Sequence, residues 1–319
     1  MTVAYDRLFG EHRRFLWGLS YRMTGSAADA DDVVQDTFVR AIEHPPRRTD
    51  ETLRPWLVKV ALNLSRDVLR RRKRREYVGP WLPSPIDTSD EPAPPSHEPV
   101  IDGRQTLEDR YDLLESVSMA FLVALEKLTP RQRAVLLLRD VFDYSVKEAA
   151  DALDLSEPNV KTTHHRARQA MASYDAARRV PTAEVQDASR RALFQFLDRL
   201  QANDVAGVEA LLAEDARTTT DGGGEFRSAL RTIIGRDKVA RFYLAIANVG
   251  QGKTARLLML NGLPAVVVDA EIVPTRVAPR SIVQVDVDPA GRIRHVYVVS
   301  ATAKLMGISE VRTGDFRRV

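Results

Sequence analysis

Several short stretches of this sequence carry residue types at spacings that could do chemistry. In Asp221-Gly222-Gly223-Gly224 a carboxylate precedes three residues without side chains. Bare backbone amides can cradle a phosphate, but a phosphate loop also uses a Lys-Ser or Lys-Thr pair, which this stretch lacks. The simpler use of the glycines is to end a strand in backbone conformations that only glycine adopts at low cost, and three in a row also let another backbone approach closely. A second stretch, Ala247 to Thr254 (ANVGQGKT), fits a relaxed nucleotide-binding pattern with alanine for the first glycine. Its context is reversed, because helical spacing over about 236–248 precedes it and a β-rich run follows, so it is set aside as a nucleotide site. Asp269, Asp286 and His295, on β-rich runs, are residue types suited to general-base proton abstraction. No nucleophile–base pair accompanies them, and a histidine on a strand is more often a satisfied structural residue.

The most specific pattern is LTPRQRAVLLLRDVFDYSVKEAADALDLSEPNVKTTHHRARQAM, from Leu128 to Met171. Thr129 before Pro130 marks a helix start, since the hydroxyl can cap and proline suits a first turn whose N–H groups lack partners. Ser145 with Glu148 three residues on is a capping box opening a helix over about 145–153. After a turn holding Asp154, Ser156 and Pro158 open a second helix over about 157–175. Two helices about three residues apart, with Ala150, Leu153, Leu155 and Val160 between them, make a helix-turn-helix. On the second helix Lys161, Thr162, His165 and Arg168 fall on one face, with Asn159 at its start and Arg166 beside them. Such a face suits a DNA major groove or, more plainly, solvent. His164 and His165 are adjacent and so cannot chelate one metal together.

Upstream, NLSRDVLRRRKRRE concentrates positive charge over residues 66–75, a phosphate-binding footprint or the onset of a linker. Its counterpart is ADADDVVQDTFVRAI, in which Asp29, Asp31, Asp32 and Asp36 gather near a helix start. They complement the helix dipole there, or form a partner surface for a basic protein. In the 319-residue chain, 47 Lys and Arg against 44 Asp and Glu leave a net charge of only +3, so the location of charge matters more than its total. There is no cysteine, which excludes disulfides, thiolate metal sites and thiol redox chemistry. The N-terminal stretch lacks a signal-type apolar core, and no apolar run approaches the roughly 20 residues needed to span a bilayer. The expectation is a soluble cytoplasmic protein with neither membrane segment nor cofactor.

These residues need regular elements to hold them. Helical spacing over residues 5–75 (Phe15, Leu16, Leu19, Met23, then Val33, Val34, Phe38, Ile42) predicts two or three packed helices. Trp56, Leu57, Val60 and Ala61 should face that core. A proline-rich, acidic stretch over 79–99 reads as a linker that packs no core. Helical spacing resumes to about Ala177. From Glu184 on, two helices precede the β-rich runs RLLMLN, PAVVVDAEIV, SIVQVDVD and RIRHVYVVS. The expected organisation is 1–78 helical, 79–106 linker, 107–178 helical with the helix-turn-helix, and 181–319 α+β.

The stretches DADDVVQDTFVRAI, RPWLVKVALNLSRDVLRRRKRR and LTPRQRAVLLLRDVFDYSVKEAADALDLSEPNVKTTHHRARQAM together resemble regions 2 and 4 of an extracytoplasmic-function sigma factor of bacterial RNA polymerase. The resemblance implies that Asp32, Gln35, Asp36 and Arg40 dock on the β′ clamp helices of core polymerase and that region 4 meets the β flap. It also implies that residues 44–75, with Asn63, Arg66, Arg70, Arg71 and Lys73, open the -10 element. Asn159, Lys161, Thr162, His165, Arg166 and Arg168 would read the -35 element. A subgroup carries a C-terminal extension similar to SnoaL, with the cone-shaped fold of nuclear transport factor 2. Its landmarks recur as Trp81-Leu82-Pro83, as Asp221 to Gly224, and as ATAKL at 301–305, with Ser84 and Glu225 departing from the usual residues. The resemblance thus implies a multidomain protein of two all-α sigma domains and an α+β cone-shaped domain. Trp81, Leu82 and Pro83 would meet Asp221, Gly222, Gly223 and Gly224 in an inter-domain contact that regulates in cis. The rival reading gives the cone a small ligand or an isomerase-type reaction.

Overall fold

The computed structural model describes residues 2–44, 53–74, 77–89, 112–247, 249–308 and 317–318. The chain divides into two compact units, Met1–Glu76 with Pro92–Arg178, and Tyr77–Glu91 with Arg179–Val319. The expected boundary at 106–107 lies outside the described residues.

The first unit is all helical. α1 (Thr2–Thr24), α2 (Ala27–Glu43) and α3 (Arg54–Arg74) pack through Leu16, Leu19 and Met23, through Val33, Val34 and Phe38, and through Leu57, Val58, Ala61 and Leu62. The α3 seam is rotated from the expected one, with Val58 and Leu62 fully buried where Trp56 and Val60 are only half-buried. Ser26 caps α2 by accepting from the Asp29 amide. Asp31 accepts from Trp17 Nε1 at 3.0 Å, which separates it from its acidic neighbours as a structural residue.

The same unit continues with α4 (Met119–Leu125), α5 (Pro130–Asp140), α6 (Val146–Leu153) and α7 (Glu157–Asp175). Thr129–Gln132 and Ser145–Glu148 both close capping boxes, each cap stabilising its helix by about 1 kcal/mol. Asp154 takes the left-handed turn conformation, φ 53° and ψ 49°. Ser156 stands at the start of α7 without bonding through its side chain. Pro158, in the first turn, has no N–H to offer it.

In the second unit α8 (Ala183–Gln201), α9 (Val205–Leu211) and α10 (Arg236–Ile246) pack on one face of a mixed sheet, and a short α11 (Thr302–Leu305) follows the last long strand. The strands are β1 (Leu212–Asp221), β2 (Ile233–Ile234), β3 (Gln251–Leu260), β4 (Leu263–Ile272), β5 (Arg280–Val287), β6 (Ile293–Val299) and β7 (Arg317–Arg318). Their order is β2-β1-β6-β5-β4-β3-β7, with β1 parallel to β6 and the remaining pairs antiparallel. Period-2 alternation turns Val283 and Val285 toward Leu193 and Phe196 of α8 and Tyr243 of α10, which fill the space between helices and sheet.

Residues 77–89 join this second unit as an extended strap. Leu82, Ser84 and Ile86 are buried, which corrects the expectation of a linker that packs no core. Proline excludes the strap from helix and sheet interior, but not from lying against a folded surface.

Candidate nucleic-acid and polymerase interface

α2 presents Asp32, Gln35, Asp36 and Arg40 on its exposed side, interleaved with Val39 and Ile42, which are 48 and 56 % exposed. Ile42, expected in the core, sits instead on this outward side. The arrangement is an acidic face with two apolar side chains, held by the buried Val33, Val34 and Phe38 behind it.

At the far end of α3, Asn63, Arg70, Arg71 and Lys73 are exposed and Arg66 is half-buried, donating to Asn63 Oδ1 at 3.3 Å. Arg70 pairs with Asp67 one turn back. Arg72, in the middle of the basic run, is engaged elsewhere: it donates to the Thr24 carbonyl at 2.7 Å and to both oxygens of Glu126. Glu126 also receives Arg133, whose other nitrogen reaches the Met23 carbonyl at 2.8 Å. Arg22, 1 % exposed, lies under the segment 113–116, held by Ser116 Oγ and the carbonyls of Gly18 and Leu113. Burial pulls its guanidinium down to about 10, so it stays charged at neutral pH. These links tie α1 and α3 to α4 and α5, and Lys59 to Asp154 at 2.6 Å adds an exposed one. No sequence pattern announced them, because each joins residues far apart in the chain.

On α7, Asn159, Lys161, Thr162, His165, Arg166 and Arg168 are all exposed, while Val160, Ala167 and Met171 face the core. Thr162 and His165 lie near the crest opposite those core residues. Arg168 stands toward the flank, beside His164, which meets Asp140 at 2.6 Å. The six residues thus spread over the crest and both flanks, with Lys161 and Arg168 on one and Asn159 on the other, rather than forming a single flat face.

In the second unit the carboxylate of Asp221, 1 % exposed, gathers four donors. Oδ1 accepts from Tyr77 Oη at 2.6 Å and Gly223 N at 3.0 Å, and Oδ2 accepts from Leu82 N at 2.7 Å and Lys304 Nζ at 2.5 Å. Lys304 also donates to the Leu82 carbonyl and lies 4.2 Å from the Trp81 ring centre, a cation–π contact. Pro83 is buried beside Leu82. The glycines are shaped by the same contacts. A Cβ at Gly222 would come 2.6 Å from the Phe226 carbonyl oxygen, and one at Gly223, where φ is +63°, would come 2.8 Å from Ala301 Cβ. Gly224, at φ +76°, faces Val78 of the strap. Farther along, Ile86 and Asn261 exchange hydrogen bonds and Thr88 N reaches the Met259 carbonyl. Tyr77 and Asn261 carry no signal in the sequence, and Lys304 stands out there only as the lysine of ATAKL.

The residues weighed as general bases are already engaged. Asp269 pairs with Arg280 and Asp286 with Arg294, each at 2.5 Å. His295 Nε2 meets Thr219 Oγ1 at 2.9 Å. Burial, with Arg217 and Arg294 nearby, pushes its imidazole down to about 3, so it is neutral at physiological pH.

A helical bundle carrying a capped helix-turn-helix, followed by a mixed-sheet domain, defines a modular transcription factor. Residues 8–75 match the family model for Sigma-70 region 2, and residues 118–171 that for Sigma-70, region 4. The chain is 31 % identical over 236 residues to the ECF RNA polymerase sigma factor SigJ of Mycobacterium tuberculosis, covering 73 % of this chain and 70 % of that one. It is 34 % identical over 227 residues to SigG of the same organism, covering 64 and 58 %. The crystal structure of M. tuberculosis SigJ superposes with a TM-score of 0.68 at 25 % identity, over 95 % of this chain and 98 % of that one. The chain belongs to the extracytoplasmic-function family of RNA polymerase sigma factors, with a C-terminal mixed-sheet domain. It is a transcription initiation factor and not an enzyme. Among the described residues no helix is long and apolar enough to cross a membrane.

Proposed function

We propose that this chain docks on core RNA polymerase through the α2 face, opens the -10 element with the end of α3, and reads the -35 element with α7. The observation that carries the reading is the exposure of these three sets on the first unit, with Arg66 half-buried, each backed by its own buried apolar stripe. On α2, Asp32, Gln35, Asp36 and Arg40 suit the β′ clamp helices, with Val39 and Ile42 supplying apolar contact. Asn63, Arg66, Arg70, Arg71 and Lys73 supply phosphate and base contacts, and the crest of α7 supplies donors for base edges. The β flap is the expected partner of the α4–α7 helices.

Regulation in cis is the second part of the proposal. The strap lies in the chain between α3 and α4, and its Leu82 amide is held by Asp221 of the C-terminal domain. The domain therefore grips the tether joining the -10 and -35 readers and limits the distances that tether allows. Run-off transcription with purified core polymerase on a genomic library tests both parts. Promoter-specific transcripts are expected from the parent, and W81A should change their yield several-fold. No specific transcript would overturn the promoter reading, and an unchanged yield from W81A would overturn the tether.

A further inference from the structure

Arg168, on the flank of α7, meets two carboxylates, Nη1 standing 3.5 Å from Asp140 and Nη2 3.5 Å from Asp175. Asp140 is the last residue of α5, where the negative end of the helix dipole disfavours a carboxylate. What offsets that cost lies on α7: His164 at 2.6 Å, and Arg168. Asp140 and Asp175 also line a cleft of about 600 Å³ that takes in Asp112, Glu115 and Asp143, with Arg178 as its other cation. The C-terminal stretch of this flank is therefore rich in carboxylates, while its N-terminal end presents Lys161 and the crest presents Thr162, His165 and Arg166.

DNA brings phosphates to both sides of a helix lying in its groove. Sequence-independent binding is almost wholly electrostatic, each neutralised phosphate adding to affinity and to its salt dependence. Like charges set against a partner suppress the wrong complexes. Resting on the reading of α7 as the promoter helix, we propose that Asp140 and Asp175 are specificity-determining residues. They keep Arg168 from DNA phosphates and so lower sequence-independent binding. α7 then stays on DNA only where base-edge contacts from its crest add to the weak electrostatic term.

The test measures binding of the full chain to a labelled duplex of mixed sequence across a salt series. D140N/D175N should bind roughly 3- to 10-fold tighter than the parent at low salt, with the slope of log affinity against log salt steeper by about one. Adding R168A should remove both gains. Equal affinity and slope in variant and parent, including no binding by either, overturns the proposal. Because Asp140 also holds His164, D175N alone must show part of the gain. A gain confined to D140N and accompanied by a lowered melting temperature would mean loosened helix packing, and overturns it too. If D140N/D175N gains affinity while the parent gives no run-off transcript with core polymerase, the promoter reading fails and the carboxylate effect stands.

Discussion

Asp221 and Lys304, 83 residues apart in the chain, meet in a 2.5 Å ion pair whose side chains are 0 and 10 % exposed. Removing one charge of a pair this deeply buried leaves the other uncompensated, at a cost of about 3–5 kcal/mol. D221N is therefore expected to lower the melting temperature and to speed protease cleavage within residues 77–89. K304M should do less, because Asp221 keeps three donors and the methionine stem still covers Trp81. A D221N variant that melts and digests like the parent would show that Leu82 and Ile86 hold the strap by burial alone.

Charge reversal at Asp32 and Asp36 should weaken core polymerase binding at least tenfold with little effect on folding. Both side chains are exposed, and surface substitutions of this kind move stability by less than about 0.5 kcal/mol. Binding to labelled core enzyme beside a thermal melt checks this. Normal binding by the double variant would misplace the docking face.

The basic run should divide into two kinds of arginine. Alanine at Arg70, Arg71 and Lys73, all exposed, should flatten the salt dependence of promoter binding by the holoenzyme, by about 0.9 in slope for each phosphate left unneutralised. R72A should leave that slope alone and instead lower the melting temperature, since Arg72 ties Thr24 to Glu126. A slope change in R72A equal to that of its neighbours would contradict the division.

Glu115 gives a pH prediction. It is buried beside Tyr174 and Arg178, and burial pushes its carboxyl up to about 7 against the opposing pull of Arg178. In the unfolded chain it titrates near 4.5, so between these values the folded state binds more proton and stability falls as pH rises. E115Q should flatten that fall and melt above the parent at pH 8, at about 2–4 °C for each kcal/mol gained. Parallel stability curves for E115Q and the parent from pH 5 to 8 would remove Glu115 as the cause.

The helix-turn-helix was legible because its signals are local: Thr129, Ser145, Pro158 and Asp154 each act within one turn of their own position. The exposed side of α2 was legible for the same reason, through its 3.6-residue period. The strap was not. Proline content reports that a segment forms neither helix nor inner strand, and says nothing about a surface 139 residues away that accepts the Leu82 amide. The glycine triplet was half legible. Positive φ at Gly223 and Gly224 follows from residue type, whereas the crowding of Gly222 by the Phe226 carbonyl and of Gly223 by Ala301 depends on how the loop folds back. Helical spacing places Arg168 with Lys161, but its contact with Asp140, on another helix, has no local signal.

The bond from Lys304 to the Leu82 carbonyl spans 222 residues of chain. At roughly 5–20 residues per second, a ribosome needs on the order of 10–45 s to extend from one to the other. For the later part of that interval, once residue 178 has been passed, the helices on both sides of the strap are already made while Lys304 is not. Every newly made copy thus passes through a period in which α3 and α4 are joined by a strap that Lys304 does not yet hold, and that bond forms only after residue 304 leaves the ribosome.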